Sequence, residues 1–184
     1  KLENLYKKYS VKKQKPITFW SDILKEMDIK VVNKSNNKLH IPKNEPILVI
    51  ANHPFGIIDG LILCSLISQF RDDFKIMTHE TLQFLPQLEQ FILPVDFSGQ
   101  TKESKVLNIK TAKAASEHLH NNGLVIIFPS GGVSVAKNLK SEAIDDEWKL
   151  FPAKLIHQTQ ASVLPIYFDG KNGLLFHLFA SKIK

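Results

Sequence analysis

The 184-residue chain has one cysteine, Cys64, and one arginine, Arg71. A single thiol excludes an internal disulfide framework and fits a reducing compartment. A single guanidinium argues against nucleic acid as a partner despite the net charge of +6, because base and phosphate readers rely on bidentate forks that lysine cannot supply. Long apolar runs are missing too. The longest, Ile57 to Phe70, is broken by Asp59 and Gln69 and falls short of the ~18–20 residues a membrane-spanning helix needs. There is no internal repeat, no low-complexity tract and no secretory signal pattern. His79-Glu80 lacks the second histidine of H-E-x-x-H, and GGVSVAK lacks the spacing of a phosphate loop, so neither a zinc site nor a nucleotide site is expected.

What is present is 43% hydrophobic residues, enough for one sizeable core and too little chain for two. One domain over residues 16–184 is the expectation, with a piece of something longer as an accompanying one. The positive charge is terminal: Lys1, Lys7, Lys8, Lys12, Lys13 and Lys15 face only Glu3 in the first fifteen residues. Leu2, Leu5, Tyr6 and Tyr9 repeat at helical spacing there. Residues 1–15 therefore read as a basic amphipathic helix, suited either to an anionic membrane surface or to docking on the domain's own core.

Along the chain, ITFWSDILKEMDI, LILCSLISQF, SKVLNIKTAKAASEHLHNNG and LFPAKLIHQTQ keep helical periodicity. In the third, Val106, Ile109, Ala112, Ala115 and Leu119 form one stripe. ILVIAN and LVIIFPS are unbroken apolar runs of the kind a strand covered on both faces shows. FKIMTH, FILPVDF, SVLPIYF and GLLFHLFA read as further strands. Strands alternating with helices predict an α/β domain on a mixed, largely parallel sheet flanked by helices. Ligands of such sheets sit off the carboxyl ends of the strands. Two loops are thereby singled out, the one after ILVIAN and the one after LVIIF.

The first of these holds His53 and Asp59 around Pro54-Phe55-Gly56. On one continuous helix six steps of ~100° would set the two side chains on separate faces. Pro54 and Gly56 break that continuity, so a turn can fold Asp59 back toward His53. A carboxylate on one ring nitrogen fixes the tautomer and raises the basicity of the other. Spacing alone leaves a second reading open, in which Asn52 and Asp59 cap a turn and a helix and His53 is an ordinary loop histidine.

The segment NHPFGIID resembles the N-H-x-x-x-x-D signature of the glycerolipid acyltransferase family, the lysophosphatidic acid acyltransferase-like superfamily. FPSGGVS, Phe128 to Ser134, is similar to its F-P-E-G-T-R-S block, and VLPIYFDG to its final V-x-P-V block. Five residues rather than four separate His53 from Asp59, a version that looks like the hemolysin-annotated and amino-acid-lipid branch. Ser130 stands where the family has Glu, Val133 where it has Arg, and EQFILPVD only echoes the G-x-x-F-I-x-R block without its Arg. Those charged residues are associated with gripping a glycerol phosphate, so a phosphate-bearing acceptor is in doubt.

The resemblance implies the glycerolipid acyltransferase-like fold and acyl transfer from an acyl thioester, acyl-CoA or acyl carrier protein, to a hydroxyl or amine of a lipid acceptor. It implies His53 as general base and Asp59 as its orienting partner. Asn52, Phe128, Pro129, Ser130, Gly131 and Gly132 are the implied substrate contacts, the loop amides serving the developing oxyanion. No metal or resident cofactor is implied, since the thioester carries its own leaving group. A peripheral position on the cytoplasmic face of an anionic membrane goes with it, and Lys102, Lys105, Lys110 and Lys113 either steer an acidic donor or form a solvated helix face. Two competing readings remain: a thioesterase or esterase using the same pair on water or Ser130 as nucleophile, and a non-catalytic lipid-binding module. Ser130 lies outside a G-x-S-x-G elbow. Cys64 reads as an inert core thiol, His118 and His120 as surface residues, and His157 and His177 as core histidines.

Overall fold

A computed structural model describes residues 18–35, 39–80, 88–136, 141–173 and 176–177; the helix expected over residues 1–15 lies outside them. Five strands form one sheet, β1 (Ile47–Ala51), β2 (Phe74–His79), β3 (Ile92–Val95), β4 (Leu124–Ile127) and β7 (Ser162–Ile166), in the order β3-β2-β4-β1-β7. Every pairing in it is parallel. Among the described residues, antiparallel pairing is confined to a short ribbon of β5 (Val135–Ala136) with β6 (Ala143–Ile144).

Four helices cover the sheet: α1 (Phe19–Glu26), α2 (Ile57–Ile67), α3 (Lys102–His120) and α4 (Phe151–Thr159). Their placement explains the unbroken apolar runs. Val49, Leu124 and Ile126 pack with Trp20 and Leu24 of α1 and Leu63 and Ile67 of α2. Leu48, Val125 and Ile127 pack on the other face with Ala115 and Leu119 of α3 and Leu155 of α4. With both faces covered, no strand position in β1 or β4 is left for a polar side chain, and each large apolar one contributes about 1.5–3 kcal/mol. Cys64 is fully buried on α2, and burial pushes its thiol well up, which keeps it unreactive.

α3 departs from the expected stripe. Its buried residues are Ser104, Thr111, Ala115 and Leu119, while Val106 and Ile109 are 50% and 69% exposed. The cause is a set of polar ties at its amino-terminal half. Thr101 caps the helix by accepting from Ser104 N–H at 3.0 Å. Asn108 accepts from Asp96 N–H at 3.0 Å and donates to Asp96 carbonyl at 2.8 Å. Thr111 Oγ1 donates to Pro94 carbonyl at 2.5 Å. These bonds turn the Asn108–Thr111 side toward β3, which rolls Val106 and Ile109 outward.

Arg71 fastens the amino-terminal end of the sheet. Its buried guanidinium pairs with Asp73 at 2.8 and 2.5 Å and donates to the carbonyls of Pro42, Glu45 and Asn122. The lone arginine is therefore a structural clamp, far from the carboxyl ends of the strands. Several histidine expectations also change. His118 is half-buried, with Nε2 2.6 Å from Asp73 carbonyl, and His157 is exposed. Phe176 and His177 are helical where a strand was expected. His177 is buried, its Nδ1 accepting from Ala136 N–H at 3.2 Å while Nε2 has no partner among the described residues.

Candidate active site

The sheet register decides which loops meet. Ile50 pairs with Ile127 and Ala51 with Ile166, so the residues after β1, β4 and β7 leave the same carboxyl edge side by side. Asn52 locks two of these exits together, donating from Nδ2 to Phe168 carbonyl at 2.9 Å and accepting from Phe168 N–H at 2.7 Å. Its amide is thereby engaged on the backbone and clamps the ends of β1 and β7 together.

The turn between β1 and α2 answers the spacing problem posed by His53 and Asp59. α2 starts only at Ile57, and Gly56 before it has φ 67° and ψ −128°, a conformation that side chains resist. A Cβ at Gly56 would also lie 3.3 Å from Val133 Cγ2. The backbone reverses there, and Asp59, in the first turn of α2, points back. Its Oδ2 lies 3.1 Å from His53 Nδ1 and accepts from Phe55 N–H at 2.8 Å. The helix amino terminus favours negative charge at this position. The Asp59 side chain is fully buried and the His53 side chain 18% exposed; Asp59 Oδ1 has no partner among the described residues. One face of the pair is thus sealed and the imidazole edge remains open.

Two further groups immobilise His53. Phe128 stacks on its ring, and Asp145 holds its backbone. Asp145 Oδ1 accepts from His53 N–H at 3.1 Å and from Ser134 Oγ, and Oδ2 accepts from Trp148 Nε1 at 3.0 Å. Ser134 N–H donates to His53 carbonyl at 2.9 Å. Asp145 and Trp148 escaped sequence reasoning. They sit in a polar stretch 92 residues from His53 in the chain, and only the β5–β6 ribbon brings them back.

The loop after β4 forms the facing wall. Gly131 has φ 71°, and its N–H donates to Phe128 carbonyl at 3.0 Å. Ser130 Oγ donates to Gly132 carbonyl at 2.8 Å, so its proton is directed at a carbonyl and not at the imidazole. Gly132 N–H has only a long contact, 3.5 Å, with Ser130 Oγ. Pro129 carbonyl accepts from Lys149 N–H at 3.0 Å. His53, Phe128, Pro129, Ser130, Gly131 and Gly132 all line one cavity of about 1040 Å³, at the upper end for small-molecule sites. Its remaining walls are mostly apolar, with Trp20, Ile23, Leu61, Ile76, Leu88 and Ile92 among them. The arrangement can take up a long apolar chain with its reactive end at the imidazole. Among the described residues no helix is long and apolar enough to cross a membrane.

Comparison with known proteins gives the family. A family model described as Acyltransferase matches residues 29–169. A lyso-glycine lipid O-acyltransferase of Phocaeicola vulgatus is 26% identical over 170 residues, covering 91% of this chain and 57% of its own length. A lyso-glycine lipid O-acyltransferase of Bacteroides thetaiotaomicron is 28% identical over 170 residues, covering 91% of this chain and 58% of its own. The chain thus spans somewhat more than half the length of these relatives.

Proposed function

This chain belongs to the acyltransferase family, and we propose that it moves a fatty acyl group from an acyl thioester to a hydroxyl of a lyso-glycine-type lipid in lipid biosynthesis. The observation that carries this reading is the His53–Asp59 pair, with His53 on the wall of a large, mostly apolar cavity. With Asp59 accepting from Nδ1, the lone pair of His53 Nε2 is the base. The acceptor hydroxyl gives its proton to Nε2 as its oxygen attacks the thioester carbonyl. The tetrahedral intermediate then collapses, the C–S bond breaks, and the imidazolium returns the proton to the leaving sulfur. Gly132 N–H, in long contact with Ser130 Oγ at 3.5 Å, is our candidate donor to the oxyanion. Acyl-CoA and acyl carrier protein both supply such a thioester.

A membrane surface is the proposed place of reaction, since both substrate and product carry long chains. The outward face of α3 supports it. Val106 and Ile109 are exposed there among the exposed Lys102, Lys105, Lys110 and Lys113, a mixture suited to an anionic lipid surface. A serine hydrolase reading finds no support in the hydroxyl of Ser130, which is bonded to Gly132.

The test is acyl transfer by the purified chain, with lipid profiling of cells carrying wild type or His53→Ala. We expect the variant to lose transfer by 10²-fold or more and the acylated product to vanish from the profile. Unchanged transfer and an unchanged profile would leave only a lipid-binding role.

A further inference from the structure

An acceptor lipid needs its head group held as well as its chain, and the cavity offers few groups for that. Among the described residues of the lining, Lys149 is the only lysine or arginine, and Asp96 and Asp146 are the only acids. Lys149 is also the charged residue whose backbone is tied most directly to the reacting centre. Its N–H is bonded to Pro129 carbonyl, and Asp145, four residues earlier, holds His53 N–H. Segment 145–149 is therefore strung between the histidine and the loop that faces it. Its one cation, the exposed Lys149, belongs to the same cavity wall as His53 and Pro129.

We propose that Lys149 binds a carboxylate on the acceptor's head group, so that this site takes a monoanionic carboxylate lipid and not a phosphate-bearing one. The inference rests on the acyltransferase reading above. An ammonium is a compact point charge matched to one negative charge, whereas a phosphate dianion is best met by several cations or a guanidinium fork. Asp96 and Asp146 on the same lining oppose a second negative charge. The charge also distinguishes two ways of building a lipid on glycine. Attached through its nitrogen, glycine keeps a free carboxylate; attached through its carboxyl, it keeps an amine. An ammonium in the wall selects the first.

Three acceptors with the same hydroxylated chain test this: an N-acylglycine, its carboxamide, and a phosphate monoester. Equilibrium binding without donor and steady-state transfer with donor are measured for wild type, Lys149→Met and Lys149→Arg, with thermal unfolding as the folding control. Wild type is expected to prefer the carboxylate over the carboxamide by roughly ten- to hundredfold in Kd and KM. Lys149→Met should bring that ratio to about one, and Lys149→Arg should keep most of it. The same ratio in Lys149→Met as in wild type, or a phosphate monoester bound more tightly than the carboxylate, overturns the assignment. Lysine-dependent carboxylate binding without any transfer would uphold it while removing the acyltransferase reading.

Discussion

The ring of Phe128 lies against the ring of His53, with centroids 3.9 Å apart and planes inclined by 25°. His53 is thereby held on a face as well as through Nδ1, and the one freedom left to it, rotation about its side-chain bonds, is removed. Replacing Phe128 by Leu keeps the apolar wall and loses the flat support. We expect kcat to fall roughly tenfold to a hundredfold, the cost of a small misplacement of a reacting group, with acceptor KM little changed. Steady-state kinetics decide it; a KM effect with normal kcat would make Phe128 a substrate contact instead.

Asp145 makes a comparable prediction from a position that touches no substrate. Asp145→Ala releases His53 N–H, Ser134 Oγ and Trp148 Nε1 together. Transfer should fall tenfold or more, and the emission of Trp148 should shift to the red as its indole is freed into water. Asp145→Asn, which can still accept through its carbonyl oxygen, should recover part of both. Loss of activity without any change at Trp148 would place the effect elsewhere.

How much of this was readable beforehand follows from where each constraint acts. The apolar runs ILVI and LVII announced strands covered on both faces, and the chain pairs Ile47 through Ile50 with Leu124 through Ile127 in parallel. The turn at Pro54-Phe55-Gly56 was legible because proline and glycine act on their own backbone. Contacts made across the fold were not. The exposure of Val106 and Ile109 follows from bonds between Asn108, Thr111 and the backbone around β3, which no periodicity in α3 contains. The sequence places Asn52 by family resemblance or as a turn cap, and only the β1–β7 register shows its amide closed on Phe168.

Gly56 is where backbone conformation and chemistry meet. Its positive φ reverses the chain ahead of α2, and the added methyl of Gly56→Ala would press on Val133 at 3.3 Å. The substitution should cost about 1–3 kcal/mol of stability, read by urea unfolding. It should also reduce transfer by more than the unfolded fraction explains, because the direction of Asp59 depends on that turn. A fully stable variant with normal activity would show that the turn tolerates a side chain.

The α3 face yields a prediction separate from chemistry. Replacing Lys102, Lys105 and Lys110 by Gln should weaken binding to vesicles rich in anionic lipid by up to about a hundredfold, at about 1 kcal/mol per lysine close to the surface. Added salt should do the same to wild type. Transfer to a dispersed short-chain acceptor should persist. If instead vesicle binding holds and transfer from acyl carrier protein alone collapses, the face receives the donor and not the membrane.

His118 and Asp73 divide the acid sensitivity of the fold between two pH ranges. Burial lowers the pKa of His118 below 6.5 and outweighs its hydrogen bond to Asp73 carbonyl. The unfolded chain therefore takes up the proton first as pH falls through about 6.5, and stability drops until the folded value is passed. For Asp73, burial acts upward, but hydrogen bonds and charge from Arg71 carry its pKa below 3.8. Its contribution is present above that value and is lost as pH falls through the lower, folded one. Urea midpoints measured against pH should thus decline in two stages. His118→Gln, which can still donate to the Asp73 carbonyl, should flatten the stage between about pH 7 and 5 and leave the lower one. Asp73→Asn should lower stability at neutral pH and flatten only the lower stage. A single decline, untouched by His118→Gln, would mean that another group governs the mild-acid range.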